Sequence, residues 1–387
     1  MAAQKILAII CNSLPPYRVH LHHRLRKELT GWRILTINTH QDMSRAWSTE
    51  GIDQINLRDL SDQVTGVKTS RIIGHIKEWK RGKRIISELN EQKADAVIVN
   101  GYNDLGRIRV LRWCKASNRP CFMWADSNIA SDKASGIKRA AKHALINKVS
   151  KWVNGFFACG RLGKAYWESY GVERDRIYIS PYEPDYEMIQ SIDADMLSQV
   201  QEKFNLPPQR RRLVYSGRLV PVKRVDLLVN AFVNILDERP DWDLVILGDG
   251  PLRKVLQSVV PKDQQDRCRW LGFQSNQKMI SAIYRCSDAL VLPSTYEPWA
   301  LVINEAVAAG LAIITTDVVG AAAELLRDGE NGRVIKPDSL EQLTEALLDI
   351  TNPDHIDRYK SASLPILNHW REIGDPVDGI TSALANL

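Results

Sequence analysis

Two glutamates in the stretch Leu292-Pro293-Ser294-Thr295-Tyr296-Glu297-Pro298-Trp299-Ala300-Leu301-Val302-Ile303-Asn304-Glu305-Ala306 have the setting to bind a polyhydroxylated ligand. Glu297 falls in a loop after an apolar run that reads as a strand, where its carboxylate can accept from sugar hydroxyls. Glu305 falls in the helix that follows, with Leu301 and Ala308 roughly on its face and Ala306 and Val307 beside it. A carboxylate on so apolar a helix is costly unless it accepts hydrogen bonds, as from a ribose diol. A buried glutamate capped by backbone N–H groups is the alternative.

Two turns accompany the pair. In Tyr215-Ser216-Gly217-Arg218-Leu219-Val220-Pro221-Val222-Lys223-Arg224, Gly217 permits a tight turn directly after a strand. Arg218 can then grip phosphate oxygens with its planar fork, and Lys223 adds a point charge at the start of the next helix. A solvated surface loop would use the same residue types. In the second turn, Gly248-Asp249-Gly250-Pro251-Leu252, backbone N–H groups gather at a proline-started helix. Turn chemistry alone accounts for it equally well. It is not a dinucleotide fingerprint, because Arg253 stands at the third glycine position.

The elements that must carry these turns form two series of alternating strands and helices, the pattern of parallel sheets covered by helices. The first series has strands over Lys5–Ile10, Arg33–Ile37, Ala96–Val99, Pro120–Trp124 and Gly155–Ala158, with Tyr178–Ser180 as a last edge. Helices such as Val19–Glu28 and Ile72–Glu91 lie between them. A second series follows Pro207-Pro208, which reads as a hinge, with strands from Arg212–Ser216 to Gly332–Ile335. The expected architecture is α/β, two Rossmann-like doubly wound lobes facing across a cleft. The N-terminal lobe would span 1–188 and be joined by the tail 370–387, and the C-terminal lobe would span 189–369.

At 387 residues, 44% hydrophobic and 25% charged, the chain has the composition of a soluble globular protein. The apolar run Ile6 to Cys11 is too short for a signal peptide core or a membrane span. Six scattered cysteines, with no Cys-x-x-Cys pair, indicate neither a disulfide framework nor a zinc site, and a cytoplasmic protein is expected. The net charge of +6 is unevenly spread. Residues 1–190 hold about 31 Lys and Arg against about 19 Asp and Glu, so the remainder is acidic. Such a basic half selects anionic partners.

From Arg212 to about Pro337 the sequence closely resembles family 4 of the retaining glycosyltransferases, which have the GT-B fold. The motifs that carry the resemblance are Ser216-Gly217-Arg218-Leu219, Lys223, Gly248-Asp249-Gly250-Pro251-Leu252, Leu271-Gly272-Phe273 and the Glu297/Glu305 pair. Thr316-Asp317, Gly320, Glu324 and Asp328-Gly329-Glu330-Asn331-Gly332 follow in the family's order. The resemblance implies that Arg218 and Lys223 hold the diphosphate of a nucleotide sugar, of UDP or GDP type. It implies that Glu297 contacts the donor sugar and Glu305 the ribose, with Leu271 and Gly272 near the base. Gly217, Gly248, Gly250, Trp299, Ala300 and Leu301 would complete the donor site. No cofactor or metal is implied, since arginine and lysine neutralise the phosphates. Asp193-Ala194-Asp195 and Asp241-Trp242-Asp243 do not suit a catalytic metal by position.

The sequence also departs from the family pattern. Ala300 stands where a glycine is usual and Leu311 where a proline is common, and no histidine closely follows Trp124. Asp126 either orients an acceptor hydroxyl or caps the next helix. The usual N-terminal glycine pair is replaced by Ser13-Leu14-Pro15-Pro16-Tyr17-Arg18. Pro16, Tyr17, Arg18 and Tyr102 are therefore assigned to the acceptor and phosphate side, with Arg18 supplying charge in place of N–H dipoles. Retention of configuration, with no residue assigned as nucleophile, is implied by the family alone.

Basic residues cluster in Lys68–Arg84, Arg107–Lys115 and Lys133–Lys151. The last has Ile137, Ala141, Leu145 and Val149 at helical spacing among lysines, which suits either an anionic membrane presenting a saccharide or lipid-linked acceptor or an ordinary surface helix. Aromatic platforms for nucleic acid are not interleaved with these charges, so nucleic acid is not an expected partner. The rival readings are a nucleotide-sugar-binding scaffold without turnover, and a GT-B epimerase or phosphorylase.

Overall fold

The computed structural model describes residues 4–40, 51–62, 71–102 and 104–387. The chain divides into two compact units, Met1–Tyr182 with Gly374–Leu387, and Glu183–Ile373.

Unit 1 runs β1 (Lys5–Cys11), α1 (Pro16–Glu28), β2 (Trp32–His40), β3 (Leu57–Asp62), α2 (Arg71–Glu91), β4 (Ala96–Asn100) and α3 (Leu105–Ala116). It continues through β5 (Cys121–Ala125), α4 (Gly136–Ser150), β6 (Gly155–Ala158), α5 (Arg161–Ser169) and β7 (Ile177–Ile179). All seven strands pair in parallel in the order β3-β2-β1-β4-β5-β6-β7, so the winding reverses between β1 and β4. Helices cover both faces, which is why Leu7–Cys11 and Ala96–Val99 are apolar and buried residue after residue. The sequence pattern does not announce β3. It is a short edge strand whose Leu57 and Leu60 fall on opposite faces, so no alternation marks it. In the basic stretch Lys68–Arg84, residues 68–70 lie outside the described residues.

Unit 2 begins with α6 (Tyr186–Gln190) and α7 (Ala194–Lys203), then β8 (Arg211–Ser216), α8 (Val225–Ile235), β9 (Trp242–Leu247), α9 (Arg253–Val259) and β10 (Cys268–Gly272). After α10 (Gln277–Arg285) come β11 (Ala289–Leu292), α11 (Leu301–Ala308), β12 (Ala312–Thr316), α12 (Ala322–Leu325), β13 (Gly332–Ile335), α13 (Leu340–Ile350) and α14 (Pro353–Ile373). Its six strands are parallel in the order β10-β9-β8-β11-β12-β13, reversing between β8 and β11. The last helix, α15 (Pro376–Ala385), belongs to unit 1, where Ser180 Oγ donates to the Pro376 carbonyl at 3.0 Å and Arg24 pairs with Asp375 at 2.8 Å.

The units meet the chain at 182/183 and 373/374, not at the expected 188/189 and 369/370. Packing is the reason. Tyr186 and Ile189 are buried in unit 2, where Asn304 Nδ2 donates to the Tyr186 hydroxyl at 2.8 Å. Trp370 lies 6.3 Å from Trp299, ring to ring, in the same unit. Pro207-Pro208 is not the hinge: it sits inside unit 2, and the Pro207 carbonyl accepts from the Arg212 guanidinium. Both Asp-x-Asp triplets serve the scaffold. Asp193 caps α7 through the Met196 N–H at 2.8 Å, and buried Asp243 pairs with Arg210 at 2.8 Å and Arg267 at 3.2 Å. All six cysteines are buried thiols.

Candidate functional site

In unit 2 the loops leaving β8, β9 and β10 are locked together backbone to backbone. Gly217 N donates to the Leu247 carbonyl at 2.9 Å, Leu219 N to Asp249 at 3.0 Å, and Gly248 N to Gly272 at 2.9 Å. Gly217 and Gly248 have φ of 154° and 140°, and a Cβ on Gly248 would collide with the Gly217 carbonyl. A Cβ on Gly250 would collide likewise with Leu219. These glycines are needed because the loops touch. Their N–H groups are already engaged, that of Gly250 by the Asp249 carboxylate at 2.7 Å.

That interlock presents Arg218 at the surface, exposed, with its carbonyl held by the Tyr215 hydroxyl at 2.9 Å. Among the described residues no acidic group pairs with it. Lys223 closes the short 3₁₀ turn Pro221–Lys223 and pairs with Glu297. The loop of Glu297 is tied on both sides: Thr295 N donates to the Val222 carbonyl at 2.9 Å, and Gly320 N to the Glu297 carbonyl at 3.1 Å. Trp299 is buried, Leu301 opens α11, and Ala300 between them has φ 74°, ψ 77°, the left-handed region that favours glycine. Position 300 therefore keeps the glycine-type backbone without the glycine.

Glu305 is only 7% exposed, yet backbone N–H groups do not cap it. Gln277 Nε2 donates to one carboxylate oxygen at 2.8 Å and the Tyr284 hydroxyl to the other at 3.0 Å. Burial pushes the Glu305 carboxyl up to about 7, against the opposing pull of those two donors. The Tyr284 hydroxyl also lies within interaction range of the Ser216 side chain, beside the loop of Gly217 and Arg218. Sequence reasoning missed Gln277 and Tyr284, while Ser216 reads as part of the motif around Arg218. A signal existed: Gln277, Ser281 and Tyr284 recur at helical spacing along α10, between apolar Ile280 and Ile283. Leu271 and Gly272 end β10, beside exposed Phe273. The later motif is scaffold, since buried Asn331 donates to the Leu325 carbonyl at 2.9 Å and accepts from Arg327 N at 2.8 Å.

In unit 1, Pro16, Tyr17 and Arg18 form the first turn of α1. Arg18 lies over the rings of both Tyr17 and Tyr182, 5.9 and 5.4 Å from their centroids. With the Asn100 amide oxygen turned toward it, Arg18 donates at 2.6 and 3.1 Å. Asp126 follows β5, exposed and within electrostatic range of Arg18. It does not cap α4, whose N-cap is Ser135. Tyr102 follows β4 with its hydroxyl 3.3 Å from that of Tyr166, so it joins the aromatic packing around Trp167 and not the Arg18 group. On α4, Val149 is buried, whereas Ile137 is 89% exposed and Leu145 also lies at the surface. Among the described residues no helix is long and apolar enough to cross a membrane.

Two doubly wound units of seven and six parallel strands define the GT-B class of fold. The crystal structure of Anabaena HepE in complex with UDP and glucose shares it, with a TM-score of 0.76 at 16% identity over 99% of this chain and 100% of that one. Residues 198–362 match the family model of glycosyl transferases group 1. The chain is 36% identical over 177 residues to an exopolysaccharide phosphotransferase of Streptomyces coelicolor, covering 42% of this chain and 18% of the relative. It is 30% identical over 157 residues to the lipopolysaccharide core biosynthesis mannosyltransferase LpsB of Rhizobium meliloti, covering 38% and 44%. The chain thus spans less than half the length of these curated relatives.

Proposed function

We propose that this chain is a retaining glycosyltransferase of family 4 that moves a hexose from a UDP- or GDP-sugar to a saccharide or lipid-linked hydroxyl in cell-envelope polysaccharide synthesis. One observation carries the reading: exposed Arg218, the Lys223–Glu297 pair and buried Glu305 are tied into one set of loops within the segment that matches group 1 transferases. The fold neighbour HepE was crystallised with UDP and glucose, which supports a nucleotide-sugar donor.

In this reading Arg218 and Lys223 take the charge that grows on the leaving diphosphate, so they bind it more strongly in the transition state and no metal is needed. Lys223 and Glu297 hold each other ready, and donor binding exchanges their mutual contact for phosphate and sugar hydroxyls. Ionised Glu305 accepts from the ribose diol, in the place now held by Gln277 and Tyr284. Asp126 orients the acceptor hydroxyl. The exposed Ile137 and basic neighbours of α4 suit contact with the anionic inner face of the membrane, where sedimentation with anionic liposomes should fall for Ile137→Asp.

The test is calorimetric binding of UDP, GDP, ADP and dTDP, with EDTA present, to wild type and Arg218→Ala. One nucleotide should bind, and the variant should bind it at least about tenfold more weakly without losing thermal stability. A folded protein that binds none of them refutes the donor site. Binding without transfer or donor hydrolysis would mark a scaffold instead.

A further inference from the structure

We infer that Arg18 and Arg107 form an oxyanion site in unit 1 and that the phosphate it takes is carried by the acceptor, a clause that rests on the transferase reading above. The two arginines leave the sheet where its winding reverses. Arg18 is in the first turn of α1 after β1, Arg107 is in the first turn of α3 after β4, and β1 and β4 are neighbours. In open α/β sheets that position, outside the carboxyl ends of the strands, is where ligands bind. The thiol of Cys11, at the end of β1, lies within electrostatic range of both guanidinium groups.

Arg107 is 5% exposed. Its Nη1 pairs with Asp104 at 3.2 Å, but its Nε and Nη2 are buried without a hydrogen-bond partner. Those two atoms form the edge of a guanidinium that grips an oxyanion two-fold. Arg18 Nε is a third buried donor without a partner. Three such donors on two side chains fit an anion with three oxygens, a phosphate, better than a carboxylate with two. Charge points the same way. Arg18 and Arg81 both lie within electrostatic range of Arg107, where Asp104 is the carboxylate that opposes them. Asp104 is already shared, since it also caps α3 through Arg107 N at 2.9 Å. Burial pulls the Arg107 guanidinium below its ordinary range despite Asp104, so an incoming anion would relieve a strained charge.

The full chain is titrated by calorimetry at pH 8 with inorganic phosphate and with glucose 6-phosphate, each in saturating UDP so that a phosphate site in unit 2 is filled. Wild type should bind both, glucose 6-phosphate more tightly. Arg107→Met should weaken both at least about tenfold, and Arg107→Lys, which keeps the charge but not the fork, should fall between. Should Arg107→Met fail to fold, Arg18→Met and the phosphate-induced rise in wild-type Tm take its place. Phosphate binding that UDP abolishes, or that Arg107→Met leaves unchanged, overturns the site. Binding of inorganic phosphate with no binding of glucose 6-phosphate overturns the acceptor clause. If UDP itself does not bind while Arg107-dependent phosphate binding persists, the transferase reading fails and the anion site stands.

Discussion

The loops at the carboxyl ends of the two sheets solve the same problem in opposite ways. In unit 2 the loops after β8, β9 and β10 bind one another through glycine backbones, and of the proposed donor side chains Lys223 pairs with Glu297 and Glu305 with Gln277 and Tyr284, while Arg218 stands exposed. In unit 1 the corresponding loops carry long cationic side chains, and buried guanidinium donors remain without partners. Backbone hydrogen bonds fix the loops of unit 2, whereas at the matching place in unit 1 the side chains of Arg18 and Arg107 keep buried donors without partners. The comparison shows that shared topology settles where side chains gather and leaves open whether they are satisfied there.

Gly248→Ala should have the largest effect, and on unit 2 alone. The added Cβ meets the Gly217 carbonyl at a backbone conformation unfavourable to alanine, so we expect a loss on the order of 3 kcal/mol or more in unit 2. Unit 1 does not contain this packing. Calorimetry should show an early transition for unit 2 alone, and a single unshifted transition would mean that the loops are not interlocked.

The titration of Glu305 sharpens the contrast. Its folded value of about 7 is raised above the ordinary 4.5, so the folded protein holds this proton across a range where the unfolded chain has lost it. The stabilisation is fully present below pH 4.5 and is lost as pH rises through 7, about 3 kcal/mol in all from this group. Chemical denaturation of wild type minus Glu305→Gln across that window reads it directly. Nucleotide binding has the opposite sign, because a ribose diol favours the ionised carboxylate. Affinity should fall by up to about tenfold per pH unit below 7, and Glu305→Gln should flatten the profile.

Ala300→Gly carries the smallest effect. Relief of the left-handed alanine at φ 74° opposes the greater freedom of glycine in the unfolded chain, so stability should change by less than about 1 kcal/mol. A loss of several kcal/mol on denaturant unfolding would mean that the Ala300 methyl group, and not the backbone, holds the loop.

Much of the frame was legible because parallel strands covered on both faces are continuous apolar runs, as in Leu7–Cys11 and Leu213–Tyr215. β3 was not legible, because an exposed edge imposes no pattern. Arg218, Lys223, Glu297 and Glu305 were singled out by residue type and motif order, and the structure brings Lys223 to Glu297. Their partners were not, because Gln277 and Tyr284 reach Glu305 across 28 and 21 positions of chain.

The sequence by itself determined the two α/β series, the order of the motifs and the unequal charge of the two halves, since each depends on local periodicity or composition. Only the tertiary structure decided that the glycines serve loop-to-loop contact, that Glu305 is held by side chains and that Arg107 is buried with part of its fork without a partner. Each of those depends on which distant segments come within hydrogen-bond reach. Packing sets that, and spacing along the chain does not record it.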